Sequence, residues 1–338
     1  MKVEDFVYDL PDRAIAQSAV EPRDSSRLLD SRDMTDHVFA DLPNLLLPGD
    51  LVVVNETKVR RARLAAEKDG TGGAVELLVL GMRIDGRWEA MIRPARRIRA
   101  GTRLWVNGTR VDVVDGPDDG LVVLEVGDAE FESVMEESGS IPLPPYFRGS
   151  LEDDDRYQTM FAAIPGSAAA PTAGLHFTTR VLDGFRARSI ELARVDLHVG
   201  VDTFRPVTAD RLEDHVIHRE WCSVPKETSA AVAAARERGG RVVAIGTTSV
   251  RALETFAAPG GLVRTGSVET DLFLHPGSEF RVVDLLVTNF HVPGSTLVAM
   301  VAGFMGVRWR AAYTHALDHG YRFLSFGDAM LCERMTPG

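Results

Sequence analysis

Pro48-Gly49-Asp50-Leu51-Val52-Val53-Val54-Asn55 is the stretch on which the architecture turns. Four successive apolar residues with no polar alternation read as a strand covered on both faces, and the Pro-Gly pair before them marks a turn. Such a strand belongs inside a helix-flanked sheet. The chain does not continue that sheet directly. From about Arg61 to Tyr146, short runs rich in Val, Leu and Trp (Ala74 to Leu80, Trp88 to Ile92, Arg110 to Val114, Leu121 to Val126) alternate with Gly and Asp turns, the pattern of a small all-β barrel. The strand at Leu51 therefore pairs with elements later in the chain, and the β-rich segment is an insertion. The expected fold is α/β: a large mixed α/β domain from residues 1–60 and 150–338, interrupted by a small β-barrel domain over residues 61–149.

One helix, through Ala129-Glu130-Phe131-Glu132-Ser133-Val134-Met135, spaces its apolar residues three and four apart and is expected to close the barrel. Ile141-Pro142-Leu143-Pro144-Pro145-Tyr146 then leaves it as a proline-stiffened linker. Beyond residue 150 strands and helices alternate: Arg194 to Val199 and Arg241 to Ile245 read as strands, Lys226 to Arg238 and Ser249 to Phe256 as helices, with Gly239 as a helix stop. No internal repeat interrupts this pattern.

Composition bounds the function. With 45% hydrophobic and 26% charged residues among 338, the chain is long enough for one large or two unequal cores. Its two cysteines, Cys222 and Cys332, are too few for a disulfide scaffold or zinc ribbon and suit a reducing compartment. The acidic start, Met1-Lys2-Val3-Glu4-Asp5, is unlike a signal peptide. The apolar stretch from Leu285 to Val307 is broken by Asn289, His291, Pro293 and Gly294, which argues against a membrane span. The expected location is the cytoplasm. A net charge of −11 argues against a nucleic-acid partner, yet between Lys58 and Arg110 there are 13 basic residues against five acidic ones, a local balance of +8. They concentrate in Lys58-Val59-Arg60-Arg61-Ala62-Arg63 and Arg93-Pro94-Ala95-Arg96-Arg97-Ile98-Arg99, a surface suited to tracking phosphates; the alternative is a set of solvated strand faces.

Three constellations carry candidate chemistry. In Arg241-Val242-Val243-Ala244-Ile245-Gly246-Thr247-Thr248-Ser249-Val250-Arg251 an apolar strand meets a glycine and then hydroxyl residues opening a helix. Such a terminus can hold a carboxylate or phosphate, while the same hydroxyls would serve equally as a helix cap. In Ala169-Ala170-Pro171-Thr172-Ala173-Gly174-Leu175-His176-Phe177 small side chains let a flat ligand approach the backbone, or simply form a tight loop. The third set is rich in imidazoles: His198 at a strand end, His291 after Asn289, and His215 with His218 before Glu220. It offers proton transfer near neutral pH. A zinc site at His215, His218 and Glu220 matches no familiar spacing.

Taken in order, these segments resemble the S-adenosylmethionine:tRNA ribosyltransferase-isomerase family. The resemblance rests on Pro48 to Val59, Arg156-Tyr157-Gln158-Thr159, Pro171 to Phe177, Leu197-His198-Val199-Gly200 through Thr203-Phe204-Arg205-Pro206-Val207, Gly246 to Arg251 and Thr288-Asn289-Phe290-His291. It extends from Phe6-Val7-Tyr8-Asp9-Leu10-Pro11 and Arg23-Asp24-Ser25-Ser26-Arg27-Leu28-Leu29 to Gly327-Asp328-Ala329-Met330, nearly the whole chain. Three positions depart from the family pattern: Asp202 where glycine is usual, Glu56 where aspartate is usual, and Gly294 where lysine is usual.

The resemblance implies an α/β domain carrying an inserted barrel, and a reaction in queuosine biosynthesis. The ribosyl group of S-adenosylmethionine is transferred and isomerised onto 7-aminomethyl-7-deazaguanine (preQ1) at the tRNA wobble position, giving epoxyqueuosine and releasing adenine and methionine. It implies no metal or redox cofactor, S-adenosylmethionine being a consumed co-substrate. Its partners would be tRNA, through an anticodon stem-loop bearing preQ1, and S-adenosylmethionine, with no membrane and no obligatory protein partner. For that chemistry His176, His198 and His291 are the candidates for proton transfer, with Asn289 orienting a ribose hydroxyl or base edge. Thr247, Thr248, Ser249 and Arg251 are candidates for the methionine carboxylate, Thr172, Gly174 and Gly246 for other substrate contacts, and Arg60, Arg61, Arg96, Arg97 and Arg99 for tRNA. Two other readings compete. A methyltransferase lacks its usual glycine-rich loop here, and a non-catalytic RNA-binding scaffold leaves the His-, Thr- and Asn-bearing loops unexplained.

Overall fold

A computed structural model describes the chain apart from residues 84, 127–130, 150, 152, 201–206, 208, 216, 218 and 336–338. Asp202, the Thr203 to Pro206 stretch and His218 thus lie outside the described residues, as do Ala129 and Glu130. The chain divides into two compact units, one of residues 1–57, 144–164 and 171–338, the other of residues 58–143 and 165–170.

The larger unit is built on a mixed sheet of nine strands among the described residues, in the order Gly266–Thr270, Glu220–Val224, Glu191–Leu197, Leu51–Asn55, Val242–Ile245, Leu285–Asn289, Ala329–Glu333, Arg27–Asp30 and Thr35–Val38. All five residues of Leu51–Asn55 are buried. Val52 and Val54 join one core with Leu42, Val181 and Phe185, while the helices Lys226–Glu237 and Thr247–Thr255 cover the opposite face. Burial on both faces is why this run shows no alternation. The four central strands, from Glu191–Leu197 to Leu285–Asn289, are mutually parallel. Their carboxyl ends therefore share one edge of the sheet. Ala329–Glu333 runs antiparallel to its neighbour, and Arg27–Asp30 parallel to Ala329–Glu333, so the amino ends of those two strands reach the same edge.

The opposite edge is held by charge. Asp50, which is buried, accepts bonds from the Leu47 amide (2.9 Å), the Arg241 amide (3.0 Å) and the Arg241 guanidinium (2.6 Å). Asp284 accepts similarly from the Val242 amide and from Arg236 and Arg334. Each carboxylate ties the start of a central strand to the chain arriving from elsewhere.

The smaller unit contains a closed six-stranded barrel among the described residues: Leu121–Val126, Trp88–Arg93, Ala74–Met82, Arg63–Lys68, Arg103–Val106 and Thr109–Asp118. Its interior is filled by Leu64, Leu77, Val79, Ile92, Leu104, Val111 and Leu124. The helix Phe131–Ser138 closes it, with Phe131 edge-on to Trp88 at 5.4 Å. The Leu285 to Val307 stretch divides into a buried strand and the helix Thr296–Met305. No helix among the described residues is long and apolar enough to cross a membrane.

Removing the Asp50 carboxylate strands the Arg241 charge and two amides. We expect Asp50→Ala to lower the unfolding free energy by about 3 kcal/mol, measured by denaturant titration; a loss within roughly 0.5 kcal/mol, the ordinary range for a surface substitution, would show that the sheet does not rely on this tie.

Candidate active site

At the shared edge the end of Leu285–Asn289 presents Asn289, only 1% exposed. Its Nδ2 faces two backbone carbonyls, Leu324 O at 3.2 Å and Asp328 O at 3.3 Å, and its Oδ1 accepts from Thr172 Oγ1 at 3.0 Å. Carbonyls only accept, so the carboxamide has one orientation. The same Nδ2 lies 3.2 Å from His176 Nε2, which must then be an acceptor. The neutral imidazole therefore carries its hydrogen on Nδ1 and donates it to Ser26 Oγ at 2.7 Å. Phe39 stacks on the ring at 4.9 Å. Burial, with the nearby charges of Arg322, Arg156 and Arg23, pushes the His176 pKa down to about 3. His176 is thus a neutral relay between Asn289 and Ser26 rather than a resting acid.

Gly246 sits beside this group. A Cβ built on it would lie 3.6 Å from the Ala173 Cβ, and its φ of 83° suits glycine. The first two constellations therefore meet at Ala173. Gly246 is itself the residue preceding the helix Thr247–Thr255, and no side chain caps that helix. The Ser249 hydroxyl donates instead to Ile245 O at 2.7 Å, while Thr248 Oγ1 is buried without a partner. Of the three hydroxyls, Ser249 has spent its hydrogen on the backbone. Arg251 is committed as well: it ion-pairs with buried Glu220 and donates to Leu272 O at 3.2 Å, although its Nη2 has no partner. Glu220 also accepts from the Gly200 amide at 2.7 Å. A carboxylate bound at the helix start would thus meet backbone N–H groups and Thr248 before an unpaired Arg251 charge.

Two strands away from Val242–Ile245, just past Glu191–Leu197, His198 Nε2 lies 3.2 Å from Asp196 Oδ2, with the ring tilted over Trp221 at 4.7 Å. The carboxylate fixes one nitrogen and leaves Nδ1 as the candidate proton acceptor. His291 is placed differently. Its ring pairs with Thr288 Oγ1 at 2.9 Å, its amide donates to the Tyr313 hydroxyl, its carbonyl accepts from Tyr8, and burial pushes its pKa down to about 3. The geometry gives it a packing role among Tyr8, Tyr313 and Phe290. His215 lies against Phe273 and Glu220 is spent on Arg251. Among the described residues no three His, Cys, Asp or Glu side chains gather as metal ligands.

Sequence reasoning passed over Ser26, Phe39 and Asp328. Asp328, 2% exposed, accepts from the Arg27 and Arg322 amides and so fixes the two strand starts around Asn289. On the barrel unit the expected arginines divide. Arg60 pairs with Glu132 at 3.2 Å, donates to Pro165 O and lies over Trp88, and Arg61 donates to Gly139 O. Arg96, Arg97 and Arg99, with Arg93, are exposed around buried Ile98, and none of the four has an ion-pair partner among the described residues.

Known proteins resemble this chain over nearly its full length. The sequence profile of the family described as queuosine biosynthesis protein matches residues 3–332. An S-adenosylmethionine:tRNA ribosyltransferase-isomerase of Gloeobacter violaceus is 47% identical over 99% of this chain and 96% of its own length. One of Rubrobacter xylanophilus is 50% identical over 98% and 97%. The crystal structure of an S-adenosylmethionine tRNA ribosyltransferase from Thermotoga maritima is 35% identical, with a TM-score of 0.56 over 97% of this chain and 99% of that one.

The buried imidazoles give a pH test. Above an unfolded pKa of 6.5 both states hold them neutral, and stability is unaffected. Below it the unfolded chain takes up protons that the fold refuses until about pH 3, so stability falls through that window. Each imidazole contributes a slope of about 1.4 kcal/mol per pH unit. His176→Gln should remove roughly one proton from the uptake on unfolding, measured as the pH dependence of denaturant-derived stability. An unchanged slope would mean that the wild-type ring is protonated in the fold.

Proposed function

We propose, from the premise that the chain belongs to the queuosine biosynthesis protein family of S-adenosylmethionine:tRNA ribosyltransferase-isomerases, that it transfers and isomerises the ribosyl group of S-adenosylmethionine onto preQ1 at the wobble position of a tRNA anticodon, giving epoxyqueuosine, adenine and methionine. The observation that carries the reading is the hydrogen-bonded group Ser26–His176–Asn289–Thr172 at the edge where the four parallel strands end, in a chain that matches its relatives over nearly its full length. Open α/β sheets bind ligands outside the carboxyl ends of their strands. S-adenosylmethionine is consumed, and no other cofactor is required.

The sulfonium acidifies the adjoining ribose carbon. Taking a proton from it leaves an ylide, from which adenine departs, taking up a proton, as the carbon skeleton rearranges; the preQ1 amine attacks, and the carbon–sulfur bond breaks to release methionine as the epoxide closes. Three strand spacings, about 14 Å, separate His198 on one flank of the edge from Asn289 on the other, the scale of an extended nucleoside–amino acid sulfonium. The Asp196–His198 pair is the candidate base, because the carboxylate fixes Nε2 and leaves Nδ1 to take the proton. His176, held neutral, would present Asn289, Thr172 and Ser26 as a fixed polar wall for ribose hydroxyls. The methionine carboxylate would sit on the open N–H groups of Thr247 and Thr248, with Gly246 allowing close approach, whereas Gly174 is closed off by the Thr159 side chain. Such substrates place the work in the cytoplasm.

Incubation with S-adenosylmethionine and prequeuosine-bearing tRNA should release adenine and add the corresponding mass to the wobble base; transfer of only a methyl group would refute the reaction. His198→Gln should lower kcat at least about a hundredfold with little change in KM, and turnover within threefold of wild type, roughly 0.7 kcal/mol, would move the base elsewhere. For the RNA, Arg96, Arg97 and Arg99 are the exposed members of the barrel set. Their joint replacement by alanine should flatten the log–log salt dependence of stem-loop binding by about 0.7 to 0.9 for each phosphate no longer neutralised; an unaltered slope would place the RNA on another surface.

A further inference from the structure

Arg23, Arg156 and Arg322 come from three separated segments and brace one another's backbones. Arg23 donates to Gln158 O at 2.8 Å and to Asp155 O at 3.0 Å, Arg156 to Val20 O at 2.7 Å, and Arg322 to Ser18 O at 3.0 Å. Carbonyl bonds hold the guanidiniums in place without neutralising them. Arg156 pairs with Glu21 at 2.6 Å, a carboxylate that is itself 67% exposed. Arg322 approaches Asp328 only to 3.5 Å, and its buried Nη2 makes no hydrogen bond. Arg23 has no carboxylate within ion-pair distance among the described residues. At ion-pair distance the three cations thus meet two carboxylates, one largely in water and the other occupied by two amides, while Asp153 and Asp155 act on Arg23 from farther off.

We propose that Arg23, Arg156 and Arg322 form a seat for one phosphodiester of the substrate RNA, beside the His176–Asn289 pair. The proposal rests on the reading of tRNA as substrate and adds where its backbone docks in the larger unit. Position favours a phosphodiester over the methionine carboxylate. Arg23 lies just before Ser26 and Arg322 just before Asp328, on the flank of Asn289 formed by the strands Ala329–Glu333 and Arg27–Asp30. The helix start at Gly246 and the Asp196–His198 pair lie toward the other flank. A sulfonium substrate stretched between His198 and Asn289 leaves the arginine flank to the second substrate. Guanidiniums suit the task because their planar forks match phosphate oxygens two at a time. The three charges also reach the buried ring, since all of them disfavour protonation of His176, which places the seat close to the relay.

The test uses the full-length protein and synthetic anticodon stem-loop RNAs, each with one loop phosphate replaced by a neutral methylphosphonate. In the wild type one linkage should stand out, costing about tenfold in affinity. In Arg23→Gln the penalty at that linkage alone should fall to below about twofold, the others staying as they were, because a lost partner removes only its own coupling. Arg23→Lys, which keeps the charge, should fall between, and it carries the same comparison should the glutamine variant not fold. Identical penalty profiles for variant and wild type would overturn the proposal. So would Arg23→Gln weakening S-adenosylmethionine but not its decarboxylated form, with RNA binding intact, for the seat would then belong to the methionine carboxylate. Absence of adenine release by the wild type would instead count against the reaction, and the linkage profile would still be readable.

Discussion

The orientation of a single buried carboxamide governs the candidate site. Two backbone carbonyls, of Leu324 and Asp328, face the Asn289 Nδ2, so the amide cannot turn over without setting its oxygen against two others. Turning it would forfeit several hydrogen bonds around a buried side chain, at a cost of about 1 to 3 kcal/mol for each polar group left unpaired. From that one constraint follow the acceptor role of His176 Nε2, the hydrogen on Nδ1 and the bond to Ser26. None of these side chains needs a charge to hold the arrangement, which is why a fully buried imidazole is tolerable there.

The constraint in turn depends on strand order. Asn289 ends one strand, Asp328 immediately precedes the next, and Ser26 immediately precedes the one beyond. Their meeting at one edge reflects a sheet whose opposite edge is fastened by Asp50 and Asp284 to arginines. Carboxylates fasten both ends of the sheet, Asp50 and Asp284 at one and Asp328 at the other, while neutral polar groups orient Asn289. The arginines near the site, Arg23, Arg156 and Arg322, are fixed through backbone carbonyls, with Arg156 also paired to the exposed Glu21.

Much of the fold was legible in the sequence because burial leaves a local mark. Leu51 to Asn55 lacks alternation since both faces are covered, and Leu121–Val126 was bounded as expected by its turn residues. Arg63–Lys68 and Arg103–Val106 were passed over, their outward faces carrying charged residues that hide a short strand. The helix expected from Ser249 begins at Thr247, because Gly246 at positive φ allows the chain to turn early. The strand expected over Arg194 to Val199 runs over Glu191–Leu197, its start set by pairing with Leu51 rather than by its own pattern. In the candidate site residue types were readable but partners were not. His176 and Asn289 are 113 positions apart, Arg251 on its helix meets Glu220 on a distant strand, and Ser26 and Asp328 lie in segments that carry the resemblance but give no sign of a site role. Nothing near His291 distinguished it from His176 until packing showed one ring among tyrosines and the other beside the strand ends.

The account stands on S-adenosylmethionine lying along the carboxyl edge of the central strands, between the Asp196–His198 pair and the Asn289–His176 group. A crystal structure with an unreactive amine analogue of that sulfonium measures this directly. The account predicts an analogue with its ribose within hydrogen-bonding distance of Asn289 or Ser26 and its amino-acid end over Gly246 to Thr248. An analogue bound elsewhere, with that edge empty, would contradict it.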